Sequence, residues 1–373
     1  MRTPLNGTFE LTARCNLSCK MCLIRIDCEK MKELGGRERT TNEWIHIAHE
    51  VWEAGTLGLL LTGGEPMLRP DFIKIYKTVA GMGFIITLYT NATLITPEIM
   101  EVLKEYPPHR IGITVYGASP ETYEKVTGNS SAYDKMRNGV EQLKQLPSKL
   151  TIRSTIIKDN LKDLEAISAW AFGLGPEVEF NISRIVTKPV RGGIADVESC
   201  RLTPEQNVLM LQKRNRECIT NPFFQLVKDK PDILKEQAII DILFNPGEKS
   251  IEKQSVPKEK ATIYGCEAGI NSYTITWDGK LIGCQMLGDC WTEPFDRSFM
   301  TAWKEFPSKV KLPHIPEICR DCATACSVCP ATRLSETGSL DGWPQYLCRE
   351  GKLRQEMEDN MIKELWKLVG VKE

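Results

Sequence analysis

Over the first half of the chain, short apolar or alternating runs take turns with segments whose apolar positions recur every three to four residues. The first pattern predicts strands and the second amphipathic helices. Strands are expected over 8–12, 57–62, 84–89, 110–116, 150–157 and 177–183. Helices are expected over 42–54, 71–82, 97–105 and 161–173, with a helical pair over 120–146. Strict alternation with short turns implies parallel strands joined by right-handed crossovers, an α/β fold of six β/α units. Past residue 183 the regularity weakens. Residues 187–199, with Pro189, Gly192 and Gly193, read as a loop bordering a substrate channel. A helix over 204–218 starts at a Thr203 cap with Pro204 in its first turn, and 223–243 carries a second helical pattern. Residues 245–260, rich in Lys, Glu, Pro and Ser, read as a linker. Beyond it a strand over 273–277, an Asp278-Gly279 turn and a return strand ending in Cys284 form a β-hairpin. The expected organisation is a first domain over 1–200, a helical bridge and linker over 201–260, a cysteine-rich domain over 261–350 and a C-terminal helix over 351–373.

Composition narrows the class. At 373 residues, 42% hydrophobic and 26% charged, the chain has enough apolar material for one large core or two modest ones. Its net charge of -1, with acids and bases mixed along the chain, gives no electrostatic footprint for nucleic acid or an anionic membrane. The first ten residues hold no apolar h-region and no run of about 18 apolar residues occurs, so neither a signal peptide nor a membrane span is expected, and the cytoplasm is the expected location. Without an export signal, the 14 cysteines read as metal thiolates in a reducing compartment rather than as disulfides.

The chemistry is concentrated in two cysteine groups. Cys15, Cys19 and Cys22, at C-x3-C-x2-C spacing directly after the first strand, cannot close a tetrahedral site alone. They fit an iron–sulfur cube with one iron left open, half of a zinc site, or three buried thiols. At the end of the second strand, Thr62-Gly63-Gly64-Glu65-Pro66 is either a tight turn or a cradle in which backbone approaches a polar small molecule. Asn91 and Thr114 close the third and fourth strands. Arg153 points opposite to its apolar neighbours on the fifth, as a surface arginine or as a grip for a carboxylate. The second group comprises Cys266, Cys284 and Cys290, then Cys319, Cys322, Cys326 and Cys329 at x2, x3 and x2 spacing, and Cys348. Eight thiolates suffice for two four-cysteine clusters or for zinc sites, and spacing does not choose the metal. Cys28, Cys200 and Cys218 fit no ligand spacing and read as structural thiols. His46 and His49 are expected to face solvent or an ion pair. Tyr89, Tyr116 and Asp278 stand near the cysteine loops, but no catalytic acid or base is assigned.

From Cys15 through Gly63-Gly64-Glu65 to Cys348, the chain resembles radical S-adenosylmethionine enzymes with a C-terminal SPASM auxiliary-cluster domain, the type that matures peptides and proteins. The resemblance implies a partial (β/α)6 TIM-like barrel followed by a small SPASM domain containing the β-hairpin. It also implies that Cys15, Cys19 and Cys22 hold a 4Fe-4S cluster whose open iron takes the methionine moiety of S-adenosylmethionine. Met21 would lean on the adenine, Gly63, Gly64 and Glu65 would receive the amino group, and Asn91 and Thr114 would stand at further cofactor contacts. Where relatives carry an arginine this chain has Thr127, and Arg153 is the nearest substitute for gripping the cofactor carboxylate. By the same resemblance Cys266, Cys284, Cys290 and Cys329 hold one auxiliary 4Fe-4S cluster, and Cys319, Cys322, Cys326 and Cys348 the other, three clusters in all. The gaps after Cys322 and Cys326 are shorter than the usual pattern, which leaves the pairing of Cys326 and Cys329 open.

The implied activity is reductive cleavage of S-adenosylmethionine to a 5'-deoxyadenosyl radical that takes hydrogen from a ribosomally made peptide, giving a thioether or carbon–carbon crosslink, an oxidation or an epimerisation. Alternatives are a dehydrogenase or epimerase of a small sugar or aminocyclitol, sulfatase-maturase-like oxidation of a protein, and a zinc-stabilised binding protein without enzymatic activity. The implied partners are a peptide or protein substrate, a flavodoxin or ferredoxin-type electron donor, and a separate leader-binding protein unless the barrel itself recognises the leader.

Overall fold

The computed structural model describes residues 2–216, 225–226, 229–230, 266–314, 316–320, 322 and 329–368. Six parallel strands, β1 (Asn6–Glu10), β2 (Gly58–Thr62), β3 (Ile85–Thr90), β4 (Arg110–Thr114), β5 (Lys149–Thr155) and β6 (Glu179–Ser183), pair in sequence order. Between them run α1 (Cys28–Glu33), α2 (Thr41–Glu53), α3 (Phe72–Gly81), α4 (Pro97–Glu105), α5 (Pro120–Thr127), α6 (Ala132–Leu143) and α7 (Leu164–Gly173). Local chemistry sets the helix starts. Thr40 and Glu43 form a capping box at α2, Thr96 caps α4 with Pro97 in its first turn, and Ser119 caps α5 ahead of Pro120.

The two-residue period of the strands separates their faces. Phe9, Leu59, Leu61, Ile86, Leu88, Ile111, Ile113 and Ile152 form one core with Trp44, Ile47 and Val51 of α2, Ile75 and Val79 of α3, and Met136 and Val140 of α6. The opposite face carries Tyr89, Thr114, Arg153, Thr155 and Ser183. Six parallel strands with one polar face need something to fill that face, and a cavity lined by Thr114, Thr155 and Ser183 opens there.

The expected hairpin is present and belongs to the same sheet. β7 (Ser272–Ile275) pairs in parallel with β1, and β8 (Leu281–Ile282) returns antiparallel to β7, giving eight strands in the order β6-β5-β4-β3-β2-β1-β7-β8. The join requires Gly7, because a Cβ there would meet the Tyr273 hydroxyl at 2.5 Å. The return strand stops at Ile282, short of the expected Cys284. The expected elements over 223–243 and 245–260 lie outside the described residues, apart from 225–226 and 229–230. The 161–173 segment opens with a 3-10 turn, Leu161–Asp163, before α7. A short helix α8 (Val197–Cys200) ends the expected loop.

The chain forms two compact units. One comprises Met1–Arg201, Ile263–His314 and Pro330–Leu340, and the other Leu202–Thr262, Ile315–Cys329 and Asp341–Glu373. In the second, α9 (Pro204–Asn215) packs against the helix Gln345–Leu368, with the Asn207 amide donating to the Tyr346 hydroxyl at 2.8 Å. No helix among the described residues is long and apolar enough to cross a membrane.

Candidate active site

Leaving β1, the chain pairs once more with β2 through Leu11 N–H to the Thr62 carbonyl (2.8 Å) and then enters the cysteine loop. The end of α5 holds that loop: Ser18 N–H donates to the Thr127 carbonyl at 2.8 Å and Lys20 N–H to the Val126 carbonyl at 3.0 Å. Thr127 thus serves the cysteine loop through its backbone, while its hydroxyl returns to the Tyr123 carbonyl (2.8 Å). Cys19, Met21 and Cys22 line a cavity of about 410 Å³ with Thr114, Tyr116, Thr155, Ser183, Val186, Thr187 and Met286. That volume is in the range of small-molecule sites, and the cavity lies at the carboxyl ends of β4, β5 and β6.

The surroundings of the three thiols penalise their ionisation. Burial first, then Glu65 and Cys22, pushes the Cys15 thiol up to about 12, against hydrogen bonds from Leu17 and Asn91. Burial also raises Cys19 and Cys22, and Cys19 feels both other thiols. Cys19 is buried, Cys22 half-buried and Cys15 exposed, and three thiolates brought this close together require a cation to compensate them. An iron–sulfur cluster fits this donor set, since each thiolate then takes its own iron and the sulfurs need not converge on one point. Among the described residues no three Cys, His, Asp or Glu side chains converge in that way.

The two glycines of the Thr62–Pro66 run are required by the chain itself. A Cβ on Gly63, whose φ is 148°, would lie 2.5 Å from the Thr12 carbonyl, and one on Gly64 would lie 2.2 Å from the Arg14 carbonyl. Gly64 N–H donates to Thr12 (2.7 Å) and Glu65 N–H to Arg14 (2.9 Å). The run is therefore laced against the backbone that leads into Cys15. Glu65 is fully buried (0% exposed), and its carboxylate accepts from Asn91 N–H at 2.7 Å, the Thr90 hydroxyl at 2.9 Å and Met67 N–H at 3.2 Å.

Burial pushes the Glu65 carboxyl up to about 7 in spite of those three donors. Between its ordinary value of 4.5 and 7, the folded chain keeps a proton that the unfolded chain releases. Stability therefore falls as pH rises through that window, by about 3 kcal/mol in all, and is flat above it. Thermal unfolding of the wild type from pH 5 to 8 is expected to show this decline. Glu65→Gln is expected to lack it, and a parallel decline in the variant would assign the effect to another group.

The remaining sequence-predicted residues divide in two. The Asn91 amide donates to Asn16 (2.9 Å) and faces the Cys15 sulfur at 3.8 Å, and Thr114 lines the cavity. Arg153 does not line it. Its guanidinium lies 4.6 Å from the Tyr89 ring centroid and donates to the Tyr89 hydroxyl. Tyr116 lies beside Cys19, and burial, then that thiol, drives its hydroxyl far above its ordinary range. Asp278 accepts from the Thr276 hydroxyl and pairs with Lys280 at 2.8 Å, which is hairpin chemistry. His46 is exposed beside Glu50 (3.4 Å). Cys266, Cys284 and Cys290 lie in the first compact unit, and Cys319, Cys322, Cys329 and Cys348 in the second. Cys326 and Cys218 lie outside the described residues. Sequence reasoning missed Glu10 and Arg191, which form a bidentate ion pair (2.7 and 2.7 Å) next to the cavity wall. The available signal was an acid inside a strand expected to be covered on both faces, because such an acid needs a buried partner.

Residues 9–171 match the Radical SAM superfamily. The AdoMet-dependent heme synthase of Methanosarcina barkeri is 27% identical over 361 residues, which span 92% of this chain and 96% of that protein. The PqqA peptide cyclase of Bradyrhizobium diazoefficiens is 29% identical over 164 residues, 44% of this chain and 42% of that protein. In fold, Streptococcus suis SuiB bound to its precursor peptide SuiA superposes with a TM-score of 0.63 at 15% identity, over 93% of this chain and 76% of SuiB. SuiB has also been crystallised with S-adenosylmethionine, and that structure matches with the same TM-score at 14% identity, over 93% of this chain and 77% of SuiB. The fold, from barrel to hairpin, is thus that of the radical SAM/SPASM enzymes.

Proposed function

We propose, for a chain that belongs to the radical S-adenosylmethionine superfamily and is an enzyme of that kind, that it binds S-adenosylmethionine over a cluster held by Cys15, Cys19 and Cys22 and takes a hydrogen atom from a peptide. When bound, the cluster supplies reductive cleavage of S-adenosylmethionine to a 5'-deoxyadenosyl radical. The chain's own work is to bind, orient and exclude water. The observation that carries the reading is the meeting of Cys19, Met21, Cys22 and Thr114 in one cavity at the strand ends, with Gly63, Gly64, Glu65 and Asn91 bracing the cysteine loop from behind. The apolar wall of Met21, Leu23, Val186 and Met286 suits an aliphatic side chain brought to a radical.

A peptide substrate is supported by the PqqA peptide cyclase relative and by SuiB with its precursor peptide. A tetrapyrrole is the second reading, favoured by the match along nearly the whole of a heme synthase. Auxiliary 4Fe-4S clusters are proposed on Cys266, Cys284, Cys290, Cys319, Cys322, Cys326, Cys329 and Cys348, with a flavodoxin or ferredoxin-type protein as electron donor. Anaerobically reconstituted protein is then expected to carry about twelve irons per chain. With dithionite and a precursor peptide deuterated at its carbon-bound positions, deuterium is expected in the 5'-deoxyadenosine. Deuterium arriving instead from a labelled iron-coproporphyrin would establish the tetrapyrrole reading, and zinc without iron in the anaerobic protein would overturn both.

A further inference from the structure

One wall of the cavity is assembled from stretches that are far apart in the chain. Leu23 comes from the cysteine loop, Val186 and Thr187 from the segment that follows β6, and Met286 from the stretch that follows β8. The segment 184–194 is tied to the cysteine loop by Val190 N–H to the Leu23 carbonyl (3.1 Å) and Ile194 N–H to the Arg25 carbonyl (2.9 Å). It is also tied to the helix Pro330–Thr337, where the Ser335 hydroxyl donates to the Lys188 carbonyl at 2.6 Å and Glu336 accepts from Lys188 N–H at 3.2 Å. No printed bond of this kind runs directly from 184–194 to the backbone beside Met286 except through Arg191.

The Arg191 guanidinium joins the three stretches. Its two terminal nitrogens donate to the two oxygens of Glu10, at the end of β1, at 2.7 Å each. Its Nε donates to the carbonyl of Gln285, the neighbour of Met286, at 3.1 Å, and the Gln285 amide returns to Glu10 at 3.4 Å. The stem needs a bare backbone to pass, since a Cβ on Gly288 would lie 2.2 Å from Arg191 Cγ. Arg191 itself has φ 55°, and a residue with a side chain stays left-handed only where its surroundings over-determine it. Glu10 is 0% exposed and the Arg191 side chain 12%. Stability alone is a poor account of such a pair, because a buried ion pair is commonly no better than apolar residues of the same volume. A planar fork that serves two separate segments at once does something apolar residues cannot, which is to fix their spacing.

We propose that Arg191 is the keystone of the cavity, a positioning residue whose fork holds 184–194 and 285–288 in register on the end of β1 and so sets the width between the walls that Leu23, Val186, Thr187 and Met286 supply. It touches neither cofactor nor substrate and acts through the segments it joins. The consequence for catalysis rests on the radical reading of the cavity, because a reactive centre meets its substrate rather than solvent only while the walls around it are held. The claim about the walls stands independently of that reading.

The test is hydrogen exchange read by mass spectrometry on the anaerobically reconstituted full chain, for wild type, Arg191→Lys, the double variant Glu10→Gln/Arg191→Met, and Ile75→Val. Lysine keeps the charge, but one ammonium cannot serve both Glu10 oxygens and the Gln285 carbonyl. Exchange in Arg191→Lys is expected to rise by about tenfold or more in 190–194 and 285–288 together, with β2 to β5 as protected as in wild type. The double variant leaves no unpaired buried charge, so its melting temperature is expected to return toward wild type while both segments stay unprotected. Ile75→Val, in the core and away from the cavity lining, is expected to lower stability without singling out either segment. Loosening confined to 190–194, loosening spread evenly over the barrel, or protection restored in the double variant would each overturn the keystone, and the double variant decides alone should Arg191→Lys not fold. In turnover with the deuterated precursor peptide, a larger share of 5'-deoxyadenosine is expected to form without deuterium in both Arg191 variants, and a wild-type share with both segments loosened would overturn the catalytic consequence. Failure of the wild type to cleave S-adenosylmethionine falls on the radical reading instead and leaves the exchange result to decide the keystone.

Discussion

Alanine at Cys15, Cys19 or Cys22 is expected to abolish 5'-deoxyadenosine formation and to lower the iron content by about four atoms per chain. The three thiols come from one loop, and in the proposed cluster each would take a different iron, so no neighbour is placed to substitute for a lost one. Cys28, the next thiol in sequence, is exposed on α1. Folding is expected to survive, because the loop is fixed by backbone hydrogen bonds from Ser18 and Lys20 to the end of α5, which the substitutions leave intact. Cysteine to alanine removes a single sulfur, and only Cys19 of the three is buried, so the cluster-free variants are expected to melt within a few degrees of the cluster-free wild type. Iron analysis and chromatography of the dithionite reaction decide the matter. A variant that keeps its iron and cleaves S-adenosylmethionine would remove that residue from the ligand set.

What could be read from the sequence follows from what each part needs. The six parallel strands and their helices declare themselves because burial on one face enforces a period, and the caps at Thr40, Thr96 and Ser119 mark helix starts within about two residues. The cysteine loop was legible because a three-thiol spacing is a chemical requirement written in consecutive residues. The place of the hairpin was not. Ser272–Ile275 reads as a strand anywhere, and only the bare backbone of Gly7, with room for Tyr273, reveals that its partner is β1. The Glu10–Arg191 pair spans 181 residues, and no local period connects them. Arg153 was placed on the correct face by alternation, but alternation cannot tell at which height along a strand a long side chain finds an aromatic ring, and Tyr89 takes it. The Gly63-Gly64 run was read as a tight turn or a cradle for a ligand, and the space a Cβ would need at either glycine is taken by the chain's own Thr12–Arg14 backbone.

That last point yields the largest expected effect on folding. A methyl group at Gly64 would sit 2.2 Å from the Arg14 oxygen, 2.6 Å from the Arg14 carbonyl carbon and 2.8 Å from the Ala13 oxygen. All three are backbone atoms, so no side chain can swing aside. Relief requires the Gly64–Glu65 segment to part from Thr12–Arg14, which breaks the 2.7 Å and 2.9 Å hydrogen bonds between them. Overpacking and two lost hydrogen bonds together place the cost of Gly64→Ala at about 3 kcal/mol or more. Because the displaced backbone runs directly into Cys15, iron loading is expected to fall along with the melting temperature. Gly81→Ala is the matched control: Gly81 is the last residue of α3, a Cβ there meets nothing within 4 Å, and the exchange is expected to be neutral or to stabilise by about 0.5–1 kcal/mol. Chemical denaturation of the two alanine variants beside wild type, with iron assayed on the same preparations, separates a local clash from a general intolerance of alanine. Equal stability and equal iron in both would mean that the cysteine loop does not depend on its contact with this glycine.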